Sequence, residues 1–99
     1  MKNYPPFYDD IKNSDPELYD LITNTYDLVM KPGAIDIKTK MLILLAVDAF
    51  AGSSGVKAIS EIAKKTGAGN NEIIEAIRIA YSVAGNRVLH TSAIVFSEM

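Results

Sequence analysis

The 99-residue chain has no cysteine and a single histidine, His90. Without cysteine there is no disulfide scaffold, no thiol nucleophile and no Cys-ligated zinc or iron–sulfur cluster. One histidine excludes a multi-histidine metal centre and leaves only carboxylate ligation, so neither metal nor cofactor is expected. A tract of positive charge is missing too. Ten basic residues face twelve acidic ones, a net charge of −2, and Lys64-Lys65 is the one adjacent basic pair. Electrostatic binding to nucleic acid or anionic lipid is thereby excluded as a leading function. Long apolar runs are also absent. The longest, Met41–Val47, is far too short for a bilayer span. Met1-Lys2-Asn3-Tyr4-Pro5-Pro6 lacks the apolar stretch of a secretory leader. The expectation is a soluble, cytoplasmic protein of one domain, residues 1–99.

What is present is apolar character. Apolar residues make up 48% of the chain, and the mean hydropathy of +0.11 is high for so small a domain. A chain of ~100 residues hides only about two-thirds of its unfolded surface. Apolar surface is then left for a partner, and the simplest partner is another copy.

The apolar positions recur at helical spacing. Residues 1–13 hold Pro5, Pro6 and the aromatics Tyr4, Phe7 and Tyr8, and read as an extended arm that packs its rings on something. A first helix begins near Ser14-Asp15-Pro16-Glu17, where Ser14 and Glu17 have capping-box spacing, and ends at Lys31-Pro32-Gly33. Asp36 can cap a second, over roughly 37–51, whose core Met41–Val47 has no polar face. A helix apolar all round is buried all round, in a core or an interface. Gly52-Ser53-Ser54-Gly55 breaks it. A third helix covers roughly 55–66, with Gly67 just past its end. Asn70 or Asn71 caps a fourth that Gly85 closes, and a fifth spans about 87–98. No stretch alternates for long enough to make a strand. The fold class is all-α, five helices plus an arm.

Residues 33–85 carry a recognisable pattern. Gly33-Ala34-Ile35-Asp36 leads into Leu42–Val47 and Ala49-Phe50-Ala51-Gly52, and later come Gly67-Ala68, Glu72-Ile73-Ile74-Glu75-Ala76 and Ala84-Gly85. This resembles the carboxymuconolactone decarboxylase family, on the side of its alkyl hydroperoxidase D-like members. The resemblance implies an all-α bundle that assembles as a dimer, trimer or hexamer, and an antioxidant, peroxiredoxin-type activity. The redox members carry Cys-x-x-Cys-x-x-x-His, with a glutamate twelve residues before the first cysteine. Two thiols three apart at a helix N-terminus can close a disulfide, and the helix dipole lowers the thiol pKa. The histidine and glutamate relay protons. Aligned on Gly67–Ala76, the cysteine positions fall on Gly52 and Gly55, the histidine on Ile59 and the glutamate on Lys40. None of the four family residues is present, and a thiol peroxidase without a thiol has no nucleophile.

Other residues stand as weaker candidates. Gly52-Ser53-Ser54-Gly55 lies where the family has its active site; its N–H groups and hydroxyls suit a carboxylate or phosphate, unless Ser54 simply caps the next helix. Asp48 interrupts an apolar helix one turn before Gly52. If buried, its carboxylate must be paired or protonated, with Lys57 and Arg87 the available cations; at the helix end it is simply exposed. Lys40 favours an anion if it faces a cavity and is otherwise a solvated lysine. His90 is a catalytic candidate or a structural histidine, and Tyr81 reads as a core or interface residue. Ligand binding is thus assigned to Asp48, Ser53, Ser54 and Lys40, and catalysis, if any, to Asp48 or His90. Three functions follow. One is a non-redox member acting as a scaffold or small-anion-binding oligomer. Another is a lactone- or acid-processing enzyme using Asp48, Lys40 or His90. The third is peroxidase activity exerted only through a cysteine-bearing partner subunit.

Overall fold

The computed structural model of the chain describes residues 4–99. Every regular element among them is a helix: α1 Tyr8–Lys12, α2 Pro16–Met30, α3 Ile37–Ala51, α4 Val56–Lys65 and α5 Asn70–Ser97. They fall into two compact units, one ending at Ala34 and one running from Ile35 to Met99.

In the first unit α1 lies against α2. The arm expected to be extended over residues 1–13 is instead helical from Tyr8 to Lys12; its first three residues lie outside the described part. The N–H groups of Tyr8, Asp9 and Asp10 donate to the carbonyls of Pro5, Pro6 and Phe7 at 3.0–3.2 Å. Proline's fixed φ suits a helix start, and Asp9 and Asp10 in the first turn complement the helix dipole. The rings do pack. Tyr4 stacks on Tyr8 at 5.9 Å and meets Tyr26 of α2 edge-on at 5.3 Å. Its hydroxyl donates to the Asp27 carboxylate at 3.0 Å. The cap of α2 is Asp15, which accepts from the Leu18 N–H at 3.0 Å. This is one residue later than the Ser14 expected, because Pro16 occupies the first helical turn.

In the second unit α3 and α5 run in the same direction, joined through α4. Near their starts Lys38 Nζ lies 2.9 Å from Glu72 Oε2. Near the end of α3 the Arg87 guanidinium lies over the Phe50 ring at 5.6 Å. Asp36 caps α3 as expected, accepting from the Thr39 N–H at 2.7 Å. Between the two ends Met41 and Leu45 are each 2% exposed, packed with Ala63, Ala68 and Ala76, which are also buried. Small residues there let the helices approach closely. Within one chain α3 is nevertheless not buried all round: Val47 is 56% exposed, and Ile43 and Phe50 are also open. Gly67 ends α4 with φ +106°.

The fourth and fifth helices expected from the sequence are one. α5 continues through Gly85 for 28 residues, about 42 Å at the usual rise. A lone glycine inside a helix costs only ~1 kcal/mol, and no proline or left-handed residue follows to end it. The N-cap of α5 is Gly69, not Asn70 or Asn71; Glu72 Oε1 accepts the Gly69 N–H at 2.9 Å. Past Arg87, α5 runs on from Val88 to Ser97, roughly 15 Å beyond the end of α3.

Candidate functional site

The turn between α3 and α4 holds most of the candidate residues. Gly52 ends α3 in the left-handed region, φ +73° and ψ +27°. Its N–H donates to the Ala49 carbonyl at 3.3 Å, and the Ser53 N–H to the Asp48 carbonyl at 2.9 Å. These bonds satisfy carbonyls that a helix end otherwise leaves open. Gly55 is the N-cap of α4. Ser54, expected to cap α4, does not: no side chain caps this helix. Ser53 Oγ instead accepts the Gly55 N–H at 3.1 Å.

Three side chains converge on Gly55. A Cβ placed there would lie 3.4 Å from Ser53 Oγ, 3.7 Å from Asp48 Oδ2 and 3.9 Å from Ile59 Cδ1. At Gly52 the same construction meets nothing within 4 Å. Asp48 is half-buried, so water solvates part of its carboxylate. Neither expected cation pairs with it: Lys57 is exposed and Arg87 lies over Phe50.

The other candidates lie elsewhere. Lys40 is half-buried in α3, eight residues before Asp48 and therefore about 12 Å away along the axis. His90 is exposed, on α5 beyond its meeting with Phe50. Tyr81 is 75% exposed, so it is not a core residue of this chain. Asp48, Ser53, Gly55 and Ile59 thus form one group, with Gly52 and Ser54 in the same turn. The sequence reading missed the Phe50–Arg87 contact; a cation two helices downstream of a helix-terminal aromatic carries no local signal.

A second charged group lies at the opposite end of α3. The Gly69 N–H and the Lys38 ammonium hold the Glu72 carboxyl below its ordinary pKa. Glu72 in turn raises Lys38. Asp36 is lowered by its hydrogen bonds from Thr39. All three are at the surface, and the arrangement is a clasp between two helix starts. No group of three or more His, Cys, Asp or Glu residues suited to a metal occurs among the described residues.

An all-α chain that places a glycine-bounded turn between two helices, at the end of an apolar one, defines a helical class of protein. The model of the carboxymuconolactone decarboxylase family matches residues 16–96, and the chain belongs to that family. No match is found among curated proteins or among solved structures. Among the described residues no helix is long and apolar enough to cross a membrane.

Proposed function

We propose that this chain is a non-redox member of its family, related to the alkyl hydroperoxidase D-like branch, and works as a homo-oligomeric scaffold. The observation that carries this reading is the α3–α4 turn. The positions that the resemblance gives to two thiols are Gly52 and Gly55, and the chain has no cysteine elsewhere. The acid and histidine positions hold Lys40 and Ile59. A peroxide O–O bond is reduced by a thiolate that becomes a sulfenic acid and is then resolved by a second thiol. Nothing in this composition performs that cycle. Peroxidase activity through a cysteine-bearing partner subunit gains no support from the turn.

Exposed apolar side chains support assembly. Leu28 in the first unit and Val47, Val88 and Phe96 in the second are each more than half exposed. Obligate assemblies cover such surfaces. A small anion is a poorer occupant than the sequence implied. The charged side chain at Gly55 is Asp48, and Lys40 lies about 12 Å back along α3.

A second reading rests on that same carboxylate. Asp48 beside Ser53, with Ile59 as an apolar wall, has the composition of a small acid–base site for a lactone or carboxylic acid. The test is direct. Hydroperoxide turnover with a dithiol reductant is expected to equal the uncatalysed rate; turnover above it overturns the non-redox reading. Carbon dioxide release from carboxymuconolactone, lost in Asp48→Asn, replaces the scaffold with the enzyme. Light scattering behind size-exclusion chromatography is expected to give a multiple of 10.8 kDa.

A further inference from the structure

The five tyrosines stand in three kinds of surroundings. Tyr4, Tyr8 and Tyr26 form one cluster in the first unit. Tyr4 meets Tyr26 edge-on at 5.3 Å and stacks on Tyr8 at 5.9 Å, and Tyr8 meets Tyr26 edge-on at 6.4 Å. The Tyr4 hydroxyl lies 3.0 Å and 3.1 Å from the two Asp27 carboxylate oxygens. Tyr19, also in the first unit, carries the Lys12 ammonium over its ring at 5.5 Å. Tyr81, on α5, is 75% exposed and has neither a ring contact nor a hydrogen bond to a carboxylate among the described residues. The chain has no cysteine and no tryptophan, so tyrosine is the side chain that gives up a single electron most readily. Methionine takes up an oxygen atom instead.

We propose that the tyrosine cluster is a site of one-electron oxidative modification, at which Tyr4 loses the first electron and couples to a neighbouring ring of the cluster as dityrosine. Such a site is consumed once and turns nothing over, so it lies beyond the non-redox reading and does not depend on it. A phenol holds its proton at neutral pH, and while it does so it gives up an electron only to a strong oxidant. Asp27 removes that obstacle at Tyr4, because a base within hydrogen-bond reach takes the proton as the electron leaves. Its negative charge beside the ring also eases the loss of the electron. At Tyr19 the Lys12 ammonium acts with the opposite sign. Tyr81 releases its proton only to water, a far weaker base than a carboxylate. All three cluster tyrosines are half-buried, which leaves part of each ring open to solvent. The chemistry balances with an outer-sphere one-electron oxidant. Two tyrosines pass two electrons to two equivalents of it and two protons to solvent, the Tyr4 proton by way of Asp27. A carbon–carbon bond forms between ring carbons ortho to the hydroxyls, and the hydrogens on those carbons move to the oxygens to restore both phenols. Coupling to Tyr26 ties the segment ahead of α1 to α2.

The test oxidises the full chain with photogenerated tris-bipyridine ruthenium(III), dilute enough to suppress coupling between copies. Dityrosine fluorescence is expected on the single-chain band of a denaturing gel. Peptide mass mapping is expected to show Tyr4 joined to Tyr26 or Tyr8 with the loss of two hydrogens. Tyr4→Phe keeps the rings packed and is expected to lower the yield several-fold. Asp27→Asn keeps the size of the side chain and is expected to slow bridging several-fold, whereas Tyr81→Phe is expected to leave it unchanged. Should Asp27→Asn fail to fold, the solvent isotope effect decides: the native chain is expected to react more slowly in deuterated water, because the proton leaves with the electron. Oxidation that begins at the exposed Tyr81, bridging undiminished in Tyr4→Phe, or a native rate equal in the two waters overturns the proposal. None of these results touches the dithiol peroxide assay, which judges the non-redox reading separately.

Discussion

The two stretches of α5 draw on similar apolar residues and bury them differently. From Asn70 to Arg87 the helix lies beside α3, and the residues it hides are small, Ala76 above all. From Val88 to Ser97 it carries Val88, Leu89, Ile94, Val95 and Phe96, all more than half exposed. Within a chain, small residues permit close helix approach and leave the large neighbours Met41 and Leu45 to fill the space. Beyond α3 the large residues have nothing of their own unit to fill. Side-chain size thus separates the surface used inside the second unit from the surface that remains.

The sharpest break of this comparison is a pair of truncations. Leu45→Ala in the packed stretch is expected to cost about 2–5 kcal/mol, read from thermal or denaturant unfolding. Phe96→Ala in the overhang is expected to stay within about 0.5 kcal/mol when the chain is dilute enough to be dissociated. Equal, concentration-independent losses would erase the distinction. Next comes the end of the packed stretch. Gly52→Ala forces a Cβ into the left-handed region and is expected to cost ~1–2 kcal/mol. Nothing lies within 4 Å of that Cβ, so the loss is all backbone, and Gly52→Asn is expected to recover part of it. The smallest effect belongs to the clasp where the packed stretch begins. The Glu72 pKa is depressed in the folded chain. Its contribution is therefore present above the ordinary carboxylate range and lost as pH falls below about 4. Lys38 is raised, so its share is present below its ordinary value and lost as pH rises past about 10.5. Glu72→Gln is expected to flatten both limbs of the melting temperature against pH and to change little near neutrality. An unchanged acid limb would assign the pH dependence to other carboxylates.

Much of the fold was legible because its signals were local. Asp36, followed by an apolar run and then Gly52, marks α3 at both ends, and Gly67 marks the end of α4. Local signals also misled. Gly85 carries the same letter as Gly52 and Gly67, but its backbone is helical and the chain runs straight through it. Pro5-Pro6 reads as extended, while the acidic pair behind it starts α1. The site was legible in part. Asp48, Ser53 and Ile59 were named from sequence, and their convergence on Gly55 needed the turn's geometry. Lys40 and His90 were reasonable by residue type, and their positions along α3 and α5 set them apart from that group.

The turn at Gly52 also bears on how readily a thiol centre can be rebuilt here. Two glycine-to-cysteine exchanges would restore the spacing but not the chemistry. The first new residue would have to hold a left-handed backbone that disfavours any side chain. The second would set its sulfur beside the Asp48 carboxylate, whose charge pushes a thiol toward its protonated, unreactive form. Regaining thiolate reactivity requires a different ending for α3 and a different residue at 48, so the path back is several coordinated changes long.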